Sequence, residues 1–215
     1  TYGGVSVDLT GDGYEDMVVA REDGLYFYER DGNRPNFTLR HKIDNPTDSR
    51  CLAVSVSDFD NTGQLKLYLS QFVQPSKLVN FQFNNPGHSK DNILLLHSVG
   101  NNWEFTDITD RHPELKGSAN SFTSVFVDLS NNGRPDLVVA QDAGLVEIFR
   151  NNGRNKQFTP LESGSGYGMW MGLAVGDYDN SGRMSIFASN VSGYTPKAAV
   201  KGVGKTGIQS GQRLN

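Results

Sequence analysis

One nine-residue loop occurs four times in this chain, and nothing else constrains the fold as tightly. The segments Asp8-Leu9-Thr10-Gly11-Asp12-Gly13-Tyr14-Glu15-Asp16, Asp58-Phe59-Asp60-Asn61-Thr62-Gly63-Gln64-Leu65-Lys66, Asp128-Leu129-Ser130-Asn131-Asn132-Gly133-Arg134-Pro135-Asp136 and Asp177-Tyr178-Asp179-Asn180-Ser181-Gly182-Arg183-Met184-Ser185 align without gaps. Each has Asp at position 1, an apolar or aromatic residue at 2, an oxygen-bearing side chain at 3 and 5, and Gly at 6. Each is followed by a β-prone run: Met17 to Ala20, Leu67 to Ser70, Leu137 to Ala140 and Ile186 to Ser189.

The loops start at residues 8, 58, 128 and 177, spacings of 50, 70 and 49. A period near 50 residues matches a propeller blade of four strands. The rest of the unit repeats too. Gly24-Leu25-Tyr26-Phe27-Tyr28 aligns with Gly144-Leu145-Val146-Glu147-Ile148-Phe149, Arg30-Asp31-Gly32-Asn33 with Arg150-Asn151-Asn152-Gly153, and Phe37-Thr38 with Phe158-Thr159. The second unit reaches its Phe105-Thr106 later, so its surplus falls between Gln71 and Asn92. Four strands are expected in the first unit: Gly4 to Val7, Asp16 to Ala20, Leu25 to Glu29 and Phe37 to Lys42. Such sheets cannot bury both faces alone, so neighbouring units must stack. The expected fold is all-β, a β-propeller of four-stranded blades with about four present as part of a larger ring. Units begin near residues 3, 52, 122 and 170 within 1–192, and residues 193–215 form a Gly/Lys-rich tail or incomplete blade.

Oxygens at positions 1, 3, 5 and 9, a carbonyl at 7 and Gly at 6 resemble the start of an EF-hand loop, which holds a hard cation among oxygen ligands. The first copy is the most complete, with Asp8, Thr10, Asp12, Asp16 and the Tyr14 carbonyl. The third offers Asp128, Ser130, Asn132, Asp136 and the Arg134 carbonyl, with fewer carboxylates. The fourth has Asp177, Asp179 and Ser181, with Ser185 at position 9. The second presents Asp58, Asp60 and Thr62, but Lys66 stands at position 9, where its ammonium can replace a metal with an internal ion pair. Calcium is favoured over magnesium because one flexible loop supplies so many protein oxygens. The competing reading is a set of Asx-turns, in which Asp and Asn bond their own backbone.

Composition narrows the function. The net charge is −4 with no Lys/Arg cluster, so the basic footprint of nucleic-acid binding is missing. No strictly apolar run exceeds four residues, against the about 20 of a membrane-spanning helix. A single cysteine, Cys51, excludes an internal disulfide and a Cys-rich zinc site, and reads as a small buried hydrophobe.

The apolar strand, the Asp-x-Asp-x-x-Gly-x-x-Asp loop and the Leu-Val-Val-Ala strand together resemble the FG-GAP or VCBS repeat. The stretches Phe105-Thr106-Asp107-Ile108-Thr109, Phe149-Arg150-Asn151-Asn152-Gly153 and Gly172 to Gly182 are most similar to the ASPIC/UnbV, cartilage acidic protein-like branch. The resemblance implies a calcium-binding propeller exported to an extracellular, periplasmic or lumenal space. It implies adhesion, recognition or scaffolding of a protein or glycan partner, with further blades from the same or another chain. Lys66 and Ser185 depart from the pattern at position 9. Two sequons, Asn36-Phe37-Thr38 and Asn190-Val191-Ser192, would be acceptors only in a eukaryotic secretory protein.

No enzyme is expected. His41, His88, His97 and His112 fall at unrelated places in the repeat, and Gly164-Ser165-Gly166-Tyr167-Gly168 has no following Lys or helix start to make a phosphate cradle. The alternative is a propeller domain of a carbohydrate-active enzyme such as a polysaccharide lyase. Trp103 and Trp170 are candidates for a sugar platform, or for packing between blades.

Overall fold

Every unit of the repeat opens with an antiparallel hairpin closed by the Asp loop; the first two units are four-stranded sheets and the third and fourth share one six-stranded sheet. The computed structural model describes residues 2–45, 48, 50–77, 88–98, 100, 102–117 and 119–191. In the first unit β1 (Gly4–Val7), β2 (Asp16–Arg21), β3 (Gly24–Arg30) and β4 (Phe37–Asp44) pair in that order. In the second, β5 (Cys51–Ser57), β6 (Gln64–Gln71), β7 (Ile93–Ser98) and β8 (Phe105–Asp107) do the same. The third holds β9 (Asn120–Val127), β10 (Asp136–Gly144), β11 (Val146–Arg150) and β12 (Thr159–Leu161). The fourth contributes β13 (Gly168–Gly176) and β14 (Ser185–Asn190), and β13 also pairs with the far end of β10 at Asp142↔Met169 and Gly144↔Gly168. The all-β reading holds. The surplus of the second unit lies between β6 and β7, with Val73 and Ser89 bridged at its neck and 78–87 outside the described residues. The segment 193–215 and Ser192 of the second sequon also lie outside them.

Successive sheets stack. β1 packs beside β5, β5 beside β9 and β9 beside β13, so the first strands of the four units are neighbours in sequence order. The hydrophobic clusters lie between units rather than within one. Leu9, Val18, Ala20, Leu25 and Phe27 of the first unit meet Cys51, Val54, Leu67, Leu69 and Leu95 of the second. Phe59, Tyr68 and Leu94 meet Leu137, Val139, Phe149 and Phe158, while Val138, Ala140, Val146 and Ile148 meet Trp170 and Leu173. Side chains alternate across a strand, so Leu137-Val138-Val139-Ala140 feeds two clusters. All four residues are buried completely, which is why this strand reads as unbroken apolar sequence. A Leu or Val so buried contributes about 1.5–3 kcal/mol.

The structure corrects one alignment. Ala20 pairs with Leu25 and Ala140 with Val146, so Leu25 corresponds to Val146 and not to Leu145. The turn between β10 and β11 holds one extra residue, with Ala143 at φ 58°. Leu25 is therefore buried at 2% exposure, whereas Leu145 is 44% exposed. No helix among the described residues is long and apolar enough to cross a membrane.

Candidate metal centre

The four loops share one backbone path. The residue at position 4 is Gly11, Asn61, Asn131 or Asn180, with φ of 77°, 54°, 52° and 53°; the Gly at position 6 has φ of 86°, 75°, 76° and 77°. Gly and Asn adopt this left-handed region at least cost. The position-4 residues were a signal in the sequence that the donor pattern alone passed over. The first Asp then closes the turn by accepting backbone N–H groups on both oxygens. Asp58 receives Thr62 N at 3.0 Å and Gly63 N at 2.7 Å. Asp128 receives Asn132 N and Gly133 N, and Asp177 receives Ser181 N and Gly182 N. In the first loop Asp8 receives Gly11 N at 2.7 Å and Gly13 N at 2.9 Å. The Asx-turn geometry is thus present in all four loops.

Loop 2 is filled by its own side chain. Lys66 is 2% exposed, and its ammonium donates to Asp58 Oδ1 at 3.1 Å, Asp60 Oδ1, Thr62 Oγ1 at 2.9 Å and the Gln64 carbonyl at 2.9 Å. These are the oxygens of positions 1, 3, 5 and 7, the donor set read from the sequence. Asp58, Asp60 and Thr62, named as candidate metal ligands, therefore surround an internal cation. Burial pushes the Asp58 carboxyl up, but the Thr62 and Gly63 amides and Lys66 outweigh it and hold the group at about 2.

The ammonium is a stand-in ion that tests the other loops. Positions 1, 3 and 5 carry Asp8, Thr10 and Asp12 in the first, Asp128, Ser130 and Asn132 in the third, and Asp177, Asp179 and Ser181 in the fourth. Tyr14, Arg134 and Arg183 supply the position-7 carbonyl. This mixed set of carboxylate, hydroxyl, amide and carbonyl oxygens suits a hard cation such as calcium. Among the described residues no three His, Cys, Asp or Glu side chains converge on one point. The hydroxyl and carbonyl oxygens are therefore indispensable to any such site.

Position 9 does something the sequence did not disclose. Asp16 is fully buried; its Oδ2 accepts Leu9 N at 3.0 Å and Thr10 N at 3.2 Å, and its Oδ1 accepts Arg30 N at 3.0 Å. Asp136 repeats this with Leu129 N, Ser130 Oγ and Asn151 N at 3.1, 3.2 and 2.8 Å. Each carboxylate braces its loop against the end of the third strand. Three of about four lone-pair positions are taken.

The loops are also tied to the next unit. His97 Nε2 lies 3.0 Å from the Leu9 carbonyl, and Asn151 Nδ2 donates to the Phe59 carbonyl at 2.7 Å. Both acceptors are position-2 residues. The aromatics and the Gly-rich run lie elsewhere. Trp170 is buried and donates to the Gly166 carbonyl at 3.1 Å. Ser165 Oγ accepts Val146 N at 2.9 Å. Trp103 is half-buried against Phe27 and lines an open cleft of about 590 Å³ between the first two sheets.

No match is found among curated proteins. Among solved structures, the rhamnogalacturonan lyase YesW aligns over 86% of this chain with a TM-score of 0.45 and 15% identity. The rhamnogalacturonan lyase PL11 of Bacillus licheniformis aligns over 88% with a TM-score of 0.45 and 17% identity. The chain spans 39% and 40% of those two proteins, and likeness at this level carries no argument about activity. The FG-GAP-like repeat matches residues 8–69 and 128–188, each stretch opening on the first Asp of a loop. With all four loops and more than half of its residues inside those matches, the chain belongs to the FG-GAP-like repeat family.

Proposed function

We propose that this chain forms blades of an exported, calcium-binding β-propeller that acts as a non-catalytic recognition, adhesion or scaffold module for a protein or glycan partner, in the manner of the ASPIC/UnbV branch. The observation that carries the calcium reading is the Lys66 ammonium, which sits on four loop positions whose counterparts in the other copies also carry oxygen donors. The side-by-side order of β1, β5, β9 and β13 supports blades arranged about a common axis. Among the described residues β14 pairs with β13 alone.

Calcium, when bound, supplies the positive charge that draws the oxygens of positions 1, 3, 5 and 7 together. The protein's part is to preset the loop: Asp8 and Asp128 close the turn on backbone amides, and Asp16 and Asp136 hold it against the third strand. Sites with few carboxylates bind weakly and suit the millimolar calcium outside cells, which favours export. A recognition role is favoured over catalysis because His97, the most buried histidine, has both ring nitrogens on backbone carbonyls, of Glu104 and Leu9.

The test is calcium titration of the chelated protein followed by thermal unfolding. A melting temperature that rises with calcium, as linkage requires, is expected; an unchanged one overturns the calcium role. Glycan and protein arrays identify the partner class. Depolymerisation of an acidic polysaccharide by the purified chain would overturn the non-catalytic reading in favour of the lyase.

A further inference from the structure

We infer that Lys66 is the resident cation of the second loop, so that the oxygens at its centre are neutralised without metal, whereas the loops beginning at Asp8 and Asp128 depend on a free cation for that charge. The inference deepens the calcium reading and rests on it for the identity of the metal in those two loops.

The geometry leaves little freedom. The ammonium has three donors and four oxygen partners, all from one loop, and the lysine is buried at 2% exposure. It enters from position 9, the first residue pair of the second strand in the ladder, Ser57↔Lys66, and so is tethered to the strand that the loop must clamp. In the first and third units position 9 is an Asp already committed to backbone amides. Those loops bring negative charge to the centre and no cation. Loop 2 also lies between the other two in the chain of contacts. Its Phe59 carbonyl receives Asn151 of the third unit, and its own unit reaches back through His97 to the Leu9 carbonyl of the first. A loop held by a covalently attached cation gives both neighbours a fixed surface under calcium depletion.

The experiment compares the wild-type chain with Lys66→Asp, measuring bound calcium by equilibrium dialysis and exchange of loop amides by NMR. In the wild type, Thr62 and Gly63 amides should exchange slowly with or without calcium, and Gly13 and Gly133 amides should be slowed only when calcium is present. Lys66→Asp should bind one more calcium per chain and make Thr62 and Gly63 protection calcium-dependent. An unchanged stoichiometry, with Thr62 and Gly63 still slow in chelator, overturns the inference. If the wild type binds no calcium and the variant binds one, the calcium reading of the other loops fails while the role of Lys66 stands. Should Lys66→Asp not fold, Lys66→Ser reproduces position 9 of the fourth loop. Its Thr62 and Gly63 amides must then exchange at least tenfold faster without calcium, and wild-type rates overturn the inference.

Discussion

Asn151 donates its side-chain amide to the carbonyl of Phe59 across 92 residues at 2.7 Å, and His97 Nε2 lies 3.0 Å from the carbonyl of Leu9 across 88 residues. The two side chains occupy equivalent places. Leu67 and Leu137 are each nine residues past their loop's first Asp; they pair with Leu95 and Phe149, and His97 and Asn151 follow two residues later. The second and third units therefore each fasten the Asp loop of the one before. Asn151→Asp keeps the shape and removes both N–H donors from the Phe59 and Pro135 carbonyls. Leaving buried acceptors unpaired should cost about 2–4 kcal/mol, read by urea unfolding. A loss below about 0.5 kcal/mol, the range of an exposed site, would remove this link from the account.

Asp16 and Asp136 should behave as braces whose value is independent of metal. Asp16→Ala strands three backbone N–H groups and should destabilise by roughly 3–5 kcal/mol, given 1–3 for each buried group left unpaired. The loss should be of the same size in chelator and in calcium. A loss seen only in calcium would instead make Asp16 a ligand first and a brace second.

Asp142 should make the protein less stable as pH rises. It is 1% exposed, and neither carboxylate oxygen accepts a hydrogen bond. Burial raises its pKa from 3.8 to about 6, and the adjoining Ala143 amide, too poorly placed to form a hydrogen bond, offsets only part of this. The folded-state pKa lies above the unfolded one, so its share of stability is fully present below about pH 4 and is lost as pH rises through about 6. The penalty at pH 7 is about 1–3 kcal/mol at about 1.4 per unit. Asp142→Asn should raise the melting temperature at pH 7 and leave it nearly unchanged at pH 4. Equal shifts at both values would exclude an ionic origin.

Cys51 should be inert in the native state. It is fully buried, burial pushes its thiol up to about 12, and its Sγ–H points to the Ala53 carbonyl at 3.2 Å. The thiolate is the reactive form, so an aromatic disulfide reagent should label the chain only in denaturant. Rapid labelling of folded protein would place Cys51 at a surface that opens.

Local sequence was enough for everything that repeats locally. The spacing of the Asp loops, the strands on either side and, in the second loop, the oxygens of positions 1, 3, 5 and 7 that meet Lys66 were legible because a turn and its donors lie within nine residues. Lys66 was legible for the same reason: an ammonium at position 9 is within reach of its own loop. What depends on contacts between distant segments could only come from the tertiary structure. Asp16 and Asp136 look like ligands in the linear pattern, yet their oxygens face the Arg30 and Asn151 amides, which arrive from a different strand. His97 and Asn151 perform one task with unlike side chains, so no pattern of residue types marks them. The extra residue before Val146 was invisible because Gly144-Leu145 imitates Gly24-Leu25, and only the strand register, set by burying Val146 against the next unit, separates the two. A short loop is specified by the residues within it; the stacking of sheets is specified by which faces are left to bury, and that is settled only when all units are present.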